Sequence, residues 1–124
     1  MLIFPESLKY TETHEWSKIK GETGIMGITD KAQDLMGDIV LVELPEIGET
    51  LTAGEPFGDL ESIKTVAEMY APFSGTVTEV NEILRDRPTI LNEDPYGNWI
   101  LKVQDPVEDD LMSAEEYREF IREL

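Results

Sequence analysis

Lys64 is the residue whose type and isolation most suggest chemistry. It is the only Lys or Arg between Lys31 and Arg85, a stretch that carries eleven Asp or Glu. A cation so isolated is not part of a nucleic-acid patch, which needs clustered Lys and Arg. Other candidate groups are few. His14 is the single histidine and there are no cysteines, so a multi-histidine or thiolate metal site, a disulfide and a cysteine nucleophile are all excluded. Asp109 and Asp110 lack the spacing and central glycine of a calcium loop. No phosphate-cradling glycine loop and no Ser-His-Asp order is present. The carboxylates are numerous but unpatterned, and a solvated face is their simplest use.

A lysine can act in two ways here. A Schiff-base lysine wants a desolvated or cation-flanked amine. The charges flanking Lys64 are Glu61 and Glu68, which argues against an intrinsic lysine catalyst. The other use is as the acceptor of a covalently attached group. The group then does the chemistry, while the protein contributes reach, protection and docking. The run Glu61-Ser62-Ile63-Lys64-Thr65-Val66 lies between two strand-like segments, which puts the amine on a hairpin tip.

The elements that must position it are short strands punctuated by Gly and Pro. Trp16–Ile19 and Ile25–Ile28 flank Gly21 as a first hairpin. A short helix is expected over Asp30–Leu35, starting at Thr29 or Asp30 with Gln33 completing a capping box, and ending at Gly37. Ile39–Val42 reads as a buried strand, and Phe57–Leu60 leads to the lysine. Beyond it come a strand at Val66–Tyr70, a turn at Pro72–Gly75, and strands at Thr76–Val80 and Trp99–Val103. Residues 81–98 hold dense turn chemistry. Ser113 and Glu116 make a capping box for a C-terminal helix at about 113–124, with Met112 and Tyr117 as its staple. Tyr117, Phe120, Ile121 and Leu124 form one apolar stripe, expected to pack on the sheet. Gly48-Glu49-Thr50-Leu51 and Ser74-Gly75-Thr76-Val77 suggest two related β units around the lysine hairpin.

The expected fold is mostly β, a flattened β-sandwich or barrel with a short internal helix and a C-terminal helix, in one domain over 1–124. Ten Lys plus Arg against 27 Asp plus Glu give a formal net charge of −17. Such a surface repels nucleic acid and anionic lipid and is drawn to basic faces on other proteins, although solubility alone would also explain it. Met1-Leu2-Ile3-Phe4-Pro5-Glu6 has no positively charged leader and no run approaches membrane-spanning length, so the expected location is the cytoplasm.

Several ordered runs resemble one family. They are Lys9-Tyr10 … Thr13-His14-Glu15-Trp16, then Gly27-Ile28-Thr29-Asp30-Lys31-Ala32-Gln33, then Gly37-Asp38-Ile39-Val40 … Val42-Glu43-Leu44-Pro45-Glu46-Ile47-Gly48. Glu61-Ser62-Ile63-Lys64, Tyr70-Ala71-Pro72-Phe73-Ser74-Gly75, Glu79-Val80-Asn81 and Leu91-Asn92-Glu93-Asp94-Pro95-Tyr96-Gly97 continue the series. Together they are similar to the H proteins of the glycine cleavage system, from about Lys9 to the last helix.

The resemblance implies a hybrid-motif fold of the lipoyl/biotinyl-carrier type and a non-catalytic carrier with lipoate joined by an amide to Lys64. It implies that the arm takes an aminomethyl unit from the pyridoxal-phosphate glycine decarboxylase and delivers it to the tetrahydrofolate-dependent aminomethyltransferase. Dihydrolipoamide dehydrogenase then reoxidises the arm, and a lipoate ligase or lipoyl transferase installs it with Glu61 as a recognition residue. Thr13, His14, Glu15 and Glu68 match positions near the arm's cleft. Glu15 and Glu68 suit a cationic cargo, whereas packing is at least as good a reading for His14 and Trp16. Thr13, Glu68 and Thr65-Val66 depart from the commoner family residues. An H-like paralogue carrying lipoate for sulfur oxidation or a lipoate-assembly relay is the leading alternative. A biotinyl carrier, whose lysine normally has Met on both sides instead of Ile63 and Thr65, and an unmodified acidic module rank below it.

Overall fold

In the computed structural model, which describes residues 1–124, nine strands form two antiparallel sheets. The larger sheet runs in the spatial order β1 (Lys9–Tyr10), β2 (Glu15–Lys20), β3 (Thr23–Ile28), β9 (Leu101–Glu108), β8 (Phe73–Val80), β5 (Thr50–Leu51). The smaller is β4 (Ile39–Val42), β6 (Pro56–Ser62) and β7 (Val66–Tyr70). The helices are α1 (Asp30–Met36), α2 (Ile83–Asp86), α3 (Ile90–Glu93) and α4 (Ala114–Arg122). The sheets stack as a flattened sandwich, and neither closes into a barrel. No helix is long and apolar enough to cross a membrane.

Alternation along the strands puts one row of apolar side chains between the sheets. Met26, Ile28, Phe73, Val77, Leu101 and Val103 come from the larger sheet, and Ile39, Leu60 and Met69 from the smaller; all are buried. Burying each such side chain is worth about 1.5–3 kcal/mol, so this layer is the main force holding the sheets together. A second cluster lies under α4, where Tyr10 and Tyr117 stack at 4.7 Å between ring centres and Phe4 meets Tyr117 edge-on at 5.2 Å. The C-terminal capping box forms as read, with Glu116 N donating to Ser113 Oγ and Ser113 N to Glu116 Oε1. Met112 and Tyr117 share the cluster. Only Leu124 of the apolar stripe is left exposed.

Several expectations are corrected. Thr29 alone caps α1, accepting from Ala32 N; Gln33 does not reach back to the cap but donates to Asp30 Oδ1. β4 is buried only at its ends, because a bulge between Ile39 and Leu41 turns Val40 and Leu41 outward. The turn expected at Pro72–Gly75 is shorter, since β8 already starts at Phe73. The last strand begins at Leu101 and continues to Glu108, past Pro106. Residues 83–86 and 90–93 form single helical turns inside the segment that reads as turns. The two related β units pair with each other, Thr50 facing Thr76 and Leu51 facing Gly75.

Candidate functional site

The lysine hairpin is built from its own turn chemistry. Ser62 N donates to Thr65 O at 2.8 Å, and Ser62 Oγ accepts from Thr65 N and Lys64 N. Ser62 thus satisfies backbone donors that two paired strands would leave open at their tip. Ile63 N donates to Asp38 O at 3.2 Å, which ties the tip to the start of β4. Lys64 itself is exposed and makes no ion pair. Its stem lies over Gly37, with Lys64 Cε 3.2 Å from where a Cβ on Gly37 would stand. Gly37 has φ 75 and ψ −157, a conformation reserved for glycine.

Asn92 fixes this platform. Its Nδ2 donates to Gly37 O at 2.8 Å and to Gln33 Oε1, and its Oδ1 accepts from Ile39 N. One α3 side chain therefore satisfies two backbone groups just past the end of α1, Gly37 O and Ile39 N, and ties them to the Gln33 side chain within the helix.

Met36, the residue before Gly37, lines a cleft of about 130 Å³. Ile28, Ala32, Leu35, Leu60, Ala67 and Met69 give it an apolar wall, and Thr13, His14, Glu15 and Glu68 supply its polar groups. All four residues singled out as arm-cleft candidates are brought together here. Glu61 and Lys64 are not part of the lining; Glu61 stands on β6 opposite Val66, three residues before the lysine.

Glu15 is the most unusual group of the set. It is 2% exposed, yet no cation pairs with it. Oε1 accepts from the hydroxyls of Thr11 at 2.6 Å and Thr13 at 2.5 Å, and Oε2 accepts from Tyr70 N at 3.1 Å. These donors favour the carboxylate, but burial outweighs them and pushes its pKa up to about 7. Glu68, on β7, is exposed at the rim and accepts from Tyr70 Oη. His14 takes a left-handed backbone, φ 72, and is half-buried. Burial, then the Lys31 charge, hold its pKa below the ordinary histidine value. Its Nδ1 lies 2.7 Å from Tyr117 Oη of α4.

Trp16 is structural. It is buried, donates from Nε1 to Pro95 O and covers Gly27 so closely that no Cβ would fit there. Sequence reasoning missed Thr11, Tyr70, Gly37 and Tyr117 as parts of this site. Tyr117 carried only helix signals, as a staple and stripe residue, and its hydroxyl meets a residue 103 positions away. No three His, Cys, Asp or Glu side chains are grouped to hold a metal ion.

The lysine and cleft suit an apolar arm carrying a cationic end. The amine is free, the glycine beneath it leaves room for the stem, the wall is apolar, and the lining includes a buried carboxyl with no cation beside it.

Comparison with known proteins gives a consistent result. A family model described as glycine cleavage H-protein matches residues 8–124. A glycine cleavage system H protein of Rubrobacter xylanophilus is 52% identical, over 99% of this chain and 98% of the relative. One of Geobacillus kaustophilus is 54% identical, over 96% and 97%. A probable glycine cleavage system H protein of Haloarcula marismortui is 55% identical, over 94% and 95%. The crystal structure of a glycine cleavage system H protein from Mycobacterium marinum superposes with a TM-score of 0.90 at 41% identity, covering 98% of this chain and all of that one. Fold and sequence agree, and the chain belongs to the glycine cleavage H-protein family.

Proposed function

We propose that this chain is a lipoyl carrier of the glycine cleavage system, a single carrier domain with lipoate joined by an amide to Lys64 Nζ. The observation that carries the reading is the free amine over Gly37, which follows Met36 of a cleft lined by a buried carboxyl, Glu15, that has no cation beside it. The names of the relatives favour it over a paralogous lipoate pathway, a biotinyl carrier or an unmodified acidic module.

Bound to Lys64, lipoate would supply the disulfide that takes up and releases an aminomethyl cargo. The chain's own residues do the rest. The wall of Ile28, Ala32, Leu35, Met36, Leu60 and Met69 shelters the methylenes of the arm. Glu15, held by Thr11 and Thr13, receives the cationic nitrogen, and Glu68 adds a second negative charge at the rim. In a partly dry cleft that attraction exceeds its value in water, and it keeps the cargo from hydrolysis. None of these residues performs a bond-breaking step.

The partners that follow are the pyridoxal-phosphate glycine decarboxylase, the tetrahydrofolate-dependent aminomethyltransferase, dihydrolipoamide dehydrogenase, and a lipoate ligase or lipoyl transferase that reads Glu61. Beyond Glu68 lies a groove of about 330 Å³ lined by Glu43, Glu49, Glu55 and Asp59. It favours basic docking faces, which steer encounter more than they add affinity. Reconstitution tests the reading. The lipoylated chain should support exchange between glycine carboxyl and carbon dioxide by glycine decarboxylase; no exchange with fully lipoylated chain would contradict it.

A further inference from the structure

The hydroxyl of Thr29 is fully buried and accepts from Ala32 N as the cap of α1. Its own proton has one acceptor within reach, Tyr117 Oη at 2.8 Å. A buried hydroxyl proton without an acceptor is costly, so Thr29 donates to Tyr117. Tyr117 has a single proton, and its other neighbour is His14 Nδ1 at 2.7 Å. Tyr117 therefore donates to Nδ1, which must be the unprotonated ring nitrogen. The imidazole proton then resides on Nε2. No protein group bonds to Nε2, no buried side-chain polar atom lacks a partner, and the ring lines the cleft.

We propose that Thr29 and Tyr117 are positioning residues that fix His14 as a neutral imidazole with its N–H on Nε2, giving the cleft a hydrogen-bond donor without a positive charge. Protonating His14 would place a second donor on Nδ1. Tyr117 would have to turn its proton to Thr29, and the Thr29 proton would lose its acceptor. The charged and titratable groups around the ring are Lys31 on α1, Glu15 on β2, Glu68 on β7 and Tyr117 on α4. Burial and then Lys31 oppose a charge on His14, and the hydrogen-bond chain acts in the same direction. On the lipoyl-carrier reading, this keeps a cation out of the cleft that must accept a cationic cargo. The N–H would face an uncharged acceptor on the arm.

The chain has one histidine, so its ring nitrogens can be observed without overlap in protein carrying nitrogen-15 histidine. The expected spectrum of the unmodified full chain shows a pyrrole-type Nε2 and a pyridine-type Nδ1, with no averaging between tautomers. Thr29→Ser keeps the hydroxyl and should preserve that pattern. Thr29→Val removes it and frees Tyr117 to accept, so signal should move toward an Nδ1–H form and the titration midpoint of His14 should rise. A wild-type ring protonated mainly on Nδ1, or a Thr29→Val spectrum and midpoint identical to wild type, would overturn the proposal. The experiment uses no lipoate, so its outcome is independent of whether Lys64 is modified.

Discussion

Lys64 lies on Gly37: its Cε is 3.2 Å, and its Nζ 3.6 Å, from the place a Cβ on that glycine would occupy. The contact joins the end of α1 to the hairpin tip across 27 residues of sequence. It leaves the stem a surface to lie on and the amine nothing to pair with.

Gly37→Ala tests that platform. The new methyl meets only the movable end of a lysine, so the cost comes from the backbone conformation at φ 75 and ψ −157. A loss of about 1–3 kcal/mol in denaturant unfolding is expected. Modification of Lys64 should persist, because the lysine can move aside. An unfolding midpoint equal to wild type would show that Gly37 is not strained as described.

Glu15 makes stability depend on pH in a defined direction. Its folded pKa, about 7, lies above the ordinary carboxylate value of 4.5. Between those values the folded chain holds a proton that the unfolded chain has released, so this group's contribution is full below pH 4.5 and is lost as pH rises through 7. The whole effect is on the order of 3 kcal/mol. Glu15→Gln cannot ionise, so the difference in unfolding free energy between variant and wild type should grow in favour of the variant from pH 4.5 to 7.5. A difference that stays constant over that range would mean the carboxyl is charged throughout.

Much of this was legible in the sequence, for physical reasons that differ by residue. Ser113 and Glu116 announce their helix because a capping box is local, and Gly21 marks its hairpin for the same reason. The family resemblance grouped Thr13, His14, Glu15 and Glu68, and all four line one cleft. Pattern reading failed where a distant side chain decides. Asn92 looked like a loop residue, yet it binds Gly37 and Ile39 from a helical turn hidden among Asp, Pro and Asn. Pro106 concealed the end of β9, and the bulge at Val40 exposed residues that an apolar run suggests are buried. The solitary burial of Glu15 has no local signal at all.

Glu15 and Glu68 together should set how long the cargo survives. Glu15→Gln with Glu68→Gln removes both acids of the cleft while leaving the hairpin tip, residues 62–65, untouched. Lipoylation should proceed as in wild type, and release of the aminomethyl group from the loaded form should be faster by roughly tenfold, the factor carried by 1.4 kcal/mol. Equal release rates, measured as formaldehyde and ammonia set free, would show that the acids do not hold the cargo.

The most direct measurement is the intact mass of the chain after incubation with a lipoate ligase, lipoate and ATP. The expected result is one lipoyl adduct on wild type, placed at Lys64 by fragmentation, and none on Lys64→Arg. A wild-type chain that stays unmodified under a competent ligase, or an adduct that persists in Lys64→Arg, would contradict the assignment of Lys64 as the arm's attachment point.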